Sequence, residues 1–223
     1  MSEKFIGVVL ARKNSQRLKN KNLLKIRKYA LTEYPLIALY KSKLISYSIL
    51  SSDSLKILRL GQKYSNCLTQ FRPKKYSGNK SSSIDALKYI IKKNKISSKD
   101  YIVLLEPTSP LTNFKDVDKA ILKLKKSRYH DSLVSVGKCK SIHPDFCFTL
   151  KNNNSPHKSK IMPDIKNTRD FFYLDGSLYI SKISKLIENN TFLHKKTLCV
   201  EFDKVKNLEI DDKEDFNIIK KFL

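Results

Sequence analysis

Apolar residues gather into short, nearly continuous runs: Phe5–Ala11, Tyr47–Leu50, Tyr101–Leu105, Leu133–Val136, Phe146–Leu150, Leu178–Ile180 and Leu198–Phe202. Rich in β-branched and aromatic residues, they predict strands buried on both faces. Between several of them apolar positions repeat at helical spacing. Ile84, Leu87 and Ile91 follow a serine run able to cap a helix. Val117, Ile121 and Leu124 follow Asn113 and Asp116, spaced as a capping box. Leu55, Leu58 and Gln62 follow Ser52-Asp53-Ser54, and Phe216, Ile219 and Phe222 follow Asp211-Asp212. Strand–helix alternation over the first 130 residues predicts an α/β fold, a mostly parallel sheet with helices on both faces.

The pattern changes between Lys138 and Tyr173, where "KCKSIHPDFCFTLKNNNSPHKSKIMPDIKNTRDFF" reads as short strands around a polar, Asn-rich turn without a clear helix. This is either an insertion or arm leaving the main sheet, of a kind that often pairs with another subunit, or a long surface loop. With no internal repeat and no interdomain linker, residues 1–223 read as a single domain, with 138–173 set apart inside it.

Composition narrows the function classes only a little. The net charge is +24, from 45 Lys+Arg against 21 Asp+Glu, and such a charge attracts any anion. The lysines run from Lys4 to Lys221, in a chain also rich in Asn, Ile and Ser, which suggests compositional bias as much as a binding surface. Nucleic-acid modules concentrate their cations on one element; here they are diffuse and no such motif is present, so nucleic-acid binding stays a remote alternative. Cys67, Cys139, Cys147 and Cys199 show no CxxC spacing, and the four histidines no HxxxH spacing, which argues against zinc and for reduced thiols in a cytoplasmic protein. No signal peptide and no bilayer-length apolar segment is read from the sequence.

The local feature that stands out is "ARKNSQRLKNKN", directly after the first strand. In open parallel sheets ligands bind beyond the carboxyl ends of the strands. The stretch is neither GxxxxGK[ST] nor GxGxxG. Any phosphate chemistry would come from cationic side chains, Arg12, Arg17, Lys19 and Lys21; the bland reading is a solvated loop.

Later stretches shift that balance: "SSDS" (51–54), "FRPKKYSGNKSSS" (71–83), "LLEPTSPL" (104–111), "FYLDGSLYI" (172–180) and "NLEIDD" (207–212). Together and in this order they resemble the acylneuraminate cytidylyltransferase family, which makes CMP-activated nonulosonic acids such as sialic acid. That family's pattern runs roughly A-R-x-x-S-x-x-[IL]-x-x-K-N, S-T-D, R-P before a Ser pair, L-L-Q-P-T-S-P-L-R, N-G-x-x-Y and D-I-D.

The resemblance implies a single three-layer α/β/α nucleotide-binding domain of Rossmann-like, nucleotide-diphospho-sugar transferase-like form, with a small inserted arm used for dimerisation. It implies attack of a sugar's anomeric hydroxyl on the α-phosphate of CTP, with pyrophosphate leaving. Such chemistry needs in-line positioning and cations rather than a covalent nucleophile. By this analogy Arg12 and Lys21 are catalytic and hold the triphosphate, Ser15 and Asn22 add neutral donors, and Arg72 and Ser83 contact the nucleotide. Glu106, Thr108, Ser109, Arg169, Asp175, Gly176 and Tyr179 fall on the acceptor-sugar side. Glu209 and Asp211 match the two acids of D-I-D; on a strand they would share a face and could meet one Mg²⁺. Ser83 and Asp53, which matches the Asp of S-T-D, read equally well as helix N-caps. The implied partners are CTP, an acidic sugar and a second copy of the chain, with no nucleic acid and no membrane.

Departures cluster on the sugar side. Glu106 replaces the family Gln, and a carboxylate there repels an anionic sugar unless it is protonated or paired with a cation. Asp175 replaces the Asn of N-G-x-x-Y, removing an amide donor. Asn79 stands where Asp is frequent, Glu209 replaces the first metal Asp, and Arg169 or Lys166 is a loose match to the carboxylate-binding Arg. Cytidylyl transfer is therefore better supported than any one sugar; another sugar, or a non-catalytic homologue, stays open.

Overall fold

The computed structural model describes residues 3–15, 17–78, 81–139, 144, 147, 149–150, 156–157 and 170–223. Its strands are β1 (Phe5–Leu10), β2 (Lys25–Ile26), β3 (Tyr29–Ala30), β4 (Tyr47–Ser52), β5 (Cys67–Phe71), β6 (Tyr101–Leu105), β7 (Ser132–Lys138), β8 (Thr149–Leu150), β9 (Pro156–His157), β10 (Phe172–Lys182) and β11 (Thr197–Glu201). The helices are α1 (Glu33–Lys41), α2 (Leu55–Gly61), α3 (Ser83–Lys93), α4 (Phe114–Lys126), α5 (Ile183–Asn189) and α6 (Lys213–Ile219). Seven strands form one sheet in the order β11-β7-β10-β6-β1-β4-β5; β2–β3 and β8–β9 are separate two-stranded pairs.

The expected doubly buried strands are explained by where their side chains go. In β1, Phe5 and Val9 enter one core with Leu36 and Leu39 of α1, Ile57 of α2 and Ile121 of α4. Ile6, Val8 and Leu10 enter the other, with Leu87 and Ile90 of α3 and Leu186 of α5. β6 splits the same way, Val103 and Leu105 against Ile102 and Leu104. Successive strand side chains point to opposite faces, so helices on both sides are needed to cover them, and the result is three layers, α/β/α.

Every pairing in the sheet is parallel except those of β10, which runs antiparallel to both β6 and β7. β7 and β10 are antiparallel neighbours, a pairing that requires no crossover helix. Phe172 pairs with Lys138, and Cys139 N–H donates to the Phe171 carbonyl at 2.8 Å. Both ends of the 138–173 segment thus lie side by side. Within it β8 and β9 pair antiparallel, around the Asn-rich turn, which lies outside the described residues.

Three of the expected caps form. Asn113 and Asp116 make the capping box of α4, and Asp212 with Asp215 makes one for α6. The serine run caps α3 as expected, through Ser82 rather than Ser83, accepting from Asp85 N–H at 3.0 Å. Asp53 caps nothing: Ser54 occupies the N-cap position of α2, which has no side-chain cap bond. β5, α1 and α5 were not anticipated from the pattern. β5 is an edge strand with exposed Leu68 and Phe71, which breaks the apolar run. α1 carries Pro35 in its first turn, where a missing N–H costs nothing.

α1 lies close on β1 because residue 7 is glycine. A Cβ there would stand 2.6 Å from Leu39 Cδ2, and Leu39 is fully buried. Gly7→Ala is therefore expected to lower unfolding free energy by about 1–3 kcal/mol through overpacking. The cost should largely vanish in a Leu39→Ala background, a non-additivity that denaturant titration of the four-member cycle measures.

Candidate active site

The carboxyl ends of β1, β4, β5 and β6 all open on one edge of the sheet, and β10, running the other way, brings its early residues to the same edge. Arg12 follows β1, Arg72 follows β5, and the Glu106-Pro107-Thr108 turn follows β6. Two adjoining cavities lie here, each of about 510 Å³.

The first cavity is lined by Arg12, Ser15, Arg17, Lys21, Asn22, Arg72, Ser83, Glu106, Thr108 and Asp211, with Tyr76–Gly78 and Ser81–Ser82 along another wall. Its basic loop is held by side chains rather than glycines. Asn22 Nδ2 donates to the Arg12 carbonyl at 2.8 Å, and Thr32 Oγ1 to the Asn22 carbonyl at 2.8 Å. Lys13 N–H donates to Asp53 Oδ1 at 2.6 Å. Lys21 Nζ donates to the Ile210 carbonyl at 2.8 Å and lies 3.5 Å from Asp211 Oδ1. Arg17 Nη1 reaches Asp211 Oδ2 at 2.5 Å. Arg72 is only 5% exposed and its Nε has no protein partner. Burial pulls its pKa below the ordinary value, and Asp53 and Glu106 oppose this while Arg12 adds to it.

The second cavity is lined by Ser83, Glu106, Thr108, Gly176, Tyr179 and Glu209, with Leu174, Asn190, Thr191, Phe192 and Leu193 around them. Tyr179 and Phe192 pack with ring centroids 5.3 Å apart. Glu209 lies over Gly176, whose φ of +72° and missing Cβ leave the space: a Cβ there would fall 1.4 Å from Glu209 Oε1. Loss of hydration and the neighbouring Glu209 push the Glu106 carboxyl up to about 7, against the pull of Arg72 and Lys21. Glu209 is likewise pushed to about 7, by burial and by Asp211 and Asp175. Tyr179 is raised to about 12 by burial and these same carboxylates.

Ser83, Glu106 and Thr108 line both cavities, so the boundary between them is where two ligands could meet. The expected nucleotide set therefore comes together in one cavity, and Gly176, Tyr179 and Glu209 in the other. Glu209 and Asp211 flank buried Ile210, but in an extended segment rather than a strand; one carboxylate lines each cavity. Two residues named for the sugar side lie elsewhere. Ser109 is 2% exposed and sits beneath the turn, lining neither cavity. Asp175, also 2% exposed, lies under the cavity floor. Its Oδ1 accepts from Ser177 N–H (3.0 Å), Ser177 Oγ (2.7 Å) and Ser135 Oγ, bracing the register shift of β10. All three contacts fall on Oδ1, and Asp175 Oδ2 is buried without a hydrogen-bond partner. Arg169, Lys166 and Asn79 lie outside the described residues. Arg17 lines the first cavity as the basic loop suggested, but its place on Asp211 has no signal in the sequence. The same holds for Phe192 and Leu193.

Comparison with known proteins places the chain in a family. A 25% identical relative is the "pseudaminic acid cytidylyltransferase and UDP-2,4-diacetamido-2,4,6-trideoxy-beta-L-altropyranose hydrolase" of Helicobacter pylori, aligned over 93% of this chain but 40% of that protein. The N-acylneuraminate cytidylyltransferase of Escherichia coli is 24% identical over 98% of this chain and 52% of its own length. The chain thus spans about half the length, or less, of these two. A CMP-N,N'-diacetyllegionaminic acid synthase of Legionella pneumophila is 24% identical and matches end to end, over 99% of this chain and 96% of that one. Among solved structures, a CMP:2-keto-3-deoxy-manno-octonic acid synthetase complexed with CTP superposes with a TM-score of 0.72 at 12% identity, over 99% and 98% of the two chains; at that identity the likeness speaks for the fold alone. A cytidylyltransferase family model matches residues 6–222, nearly the whole chain, and the protein belongs to that family.

Proposed function

We propose that this protein transfers CMP from CTP to the anomeric hydroxyl of a nonulosonic sugar and releases pyrophosphate. The observation that carries the reading is the pair of adjoining cavities, one rich in Arg and Lys, the other lined by carboxylate, aromatic and apolar side chains, sharing Ser83, Glu106 and Thr108. The cytidylyltransferase and CMP-sugar synthase activities named for the three relatives support it.

In this reading the triphosphate lies against Arg12 and Lys21, with Ser15 and Asn22 beside them, and the nucleoside runs toward Arg72 and Ser83. The acceptor fills the second cavity, its hydroxyl at the shared boundary. Its oxygen forms a bond to the α-phosphorus as the bond from that phosphorus to the pyrophosphate oxygen breaks. Arg12 and Lys21 offset the charge that builds on the phosphate oxygens. Glu106 is the titratable side chain at the boundary and accepts the hydroxyl's hydrogen. Glu209 and Asp211 would hold Mg²⁺, which when bound neutralises triphosphate charge. The donor set fits: both are oxygen-only ligands, and Glu209, pushed to about 7 by burial and then by Asp211 and Asp175, is a carboxylate whose charge a cation would offset. Among the described residues no group of three or more His, Cys, Asp or Glu could hold a metal, so phosphate oxygens would complete the shell.

The 138–173 segment serves, in the same reading, as a dimerisation arm of a cytoplasmic homodimer. Exposed Phe171, Phe172, Tyr173 and Leu174 at its root support this.

Pyrophosphate release with CTP, Mg²⁺ and a panel of nonulosonic acids tests the proposal; no turnover with any of them would sink it. Arg12→Ala and Asp211→Ala are each expected to lower kcat/KM about 100-fold or more while the far-UV CD spectrum is unchanged. Wild-type rates in both would remove the site assignment.

The pH dependence has a definite sign. The Glu106 pKa is raised in the folded state, so its charged form accumulates only as pH rises through about 7. Turnover should climb between pH 6 and 8, and Glu106→Gln should flatten that limb. The same raised pKa means the folded chain holds this proton more tightly than the unfolded chain, so the stability it contributes is full at low pH and lost as pH rises through 7. Glu106→Gln should therefore melt above wild type at pH 8 and near it at pH 5.

Gly176→Ala should displace the Glu209 carboxylate. The expected result is a higher Mg²⁺ concentration for half-maximal rate, by about tenfold, read from a metal titration.

A further inference from the structure

Asp53 directly follows β4, the strand that stands between β1 and β5 in the sheet. Backbone bonds fix its neighbours on both sides: Ala11 N–H donates to the Ser51 carbonyl at 3.1 Å and Arg72 N–H to the Ser52 carbonyl at 2.8 Å. The Asp53 carboxylate is not spent on capping α2, whose N-cap, Ser54, makes no side-chain bond. It lines neither cavity. Its Oδ1 instead accepts Lys13 N–H at 2.6 Å, one residue beyond Arg12. Its charge also faces the Arg72 guanidinium, which Arg12 repels. Arg12, on the loop after β1, and Arg72, after β5, repel each other, and Asp53 acts on both sides: it holds the amide one residue beyond Arg12 and, with Glu106, attracts Arg72.

We propose that Asp53 is a positioning residue for the phosphate cations: it ties the Arg12 loop to the end of β4 through the Lys13 amide and offsets the repulsion between Arg12 and Arg72. This rests on the reading of the first cavity as a triphosphate site. It goes beyond that reading by giving an acidic residue, in an anion-binding region, a role that raises affinity for anions.

The sign of the effect makes the test selective. Removing a negative charge beside an anion site strengthens anion binding if only long-range electrostatics acts. A purely structural Asp53 would lower the melting temperature and leave affinity unchanged. A positioning role predicts weaker binding. The probes are inorganic tripolyphosphate and CTP, each with Mg²⁺, titrated calorimetrically into the full chain. Asp53→Ala is expected to weaken both about tenfold, the equivalent of one lost hydrogen bond. Asp53→Asn keeps an acceptor oxygen for Lys13 N–H but not the charge, and should recover only part of that loss. Amide exchange at Lys13 should be slow in wild type and in Asp53→Asn, and fast in Asp53→Ala.

Equal or tighter binding in Asp53→Ala would overturn the proposal. So would wild-type affinity and fast Lys13 exchange in Asp53→Asn, should Asp53→Ala fail to fold. Wild-type protein that binds tripolyphosphate but releases no pyrophosphate with any acceptor would refute the proposed reaction and leave the Asp53 comparison readable. Wild-type protein that binds neither probe would overturn both.

Discussion

The functional edge depends on how one buried residue, Ile210, is pinned. Its N–H donates to the Thr108 carbonyl at 2.8 Å, and its carbonyl accepts from Lys21 Nζ at 2.8 Å. Its side chain is fully buried in a small cluster with Ile26, Leu31 and Ile219. Three distant stretches of chain are joined there: the loop after β1, the turn after β6 and the segment before α6. Because Ile210 points inward, the residues on either side point outward, Glu209 to one cavity and Asp211 to the other. The small cluster around Ile210 also anchors the β2–β3 pair and α6, neither of which touches the sheet's main cores.

Charge is then sorted locally, whatever the overall excess of lysine. Arg12, Arg17, Lys21 and Arg72 line the first cavity. The second has Glu106 and Glu209 and, among its described lining residues, no Lys or Arg. Burial raises the Glu106 and Glu209 pKa values and the neighbouring carboxylates add to this; the cations across the boundary keep the rise moderate. Asp211 is shared between Arg17 and Lys21, a pairing with exposed Arg17 that costs little to break. The arrangement is thus poised to exchange protein partners for ligand ones.

Much of the fold was legible because the relevant signal is local. β1 and β6 are unbroken apolar runs since both faces of the sheet are covered, and the caps of α4 and α6 lie within a few residues of the helices they start. β5 escaped because an edge strand half open to water has no such run. α1 escaped because its apolar residues serve a crowded contact with Gly7 and β1 rather than an open amphipathic stripe, so periodicity was weak.

The site divides in the same way. The order of its motifs, with Arg12, Lys21, Arg72, Glu106 and Asp211 among them, is written in the chain, since each must follow a particular strand to reach the carboxyl edge. What the chain could not disclose are pairings across long separations. Asp53 holding Lys13, Arg17 on Asp211, Glu209 above Gly176 and the descent of Asp175 beneath the floor all depend on strand order and on β10 running against its neighbours. A residue type and its spacing record what a side chain can do; which partner it meets is decided by backbone pairings between strands that the sequence keeps far apart.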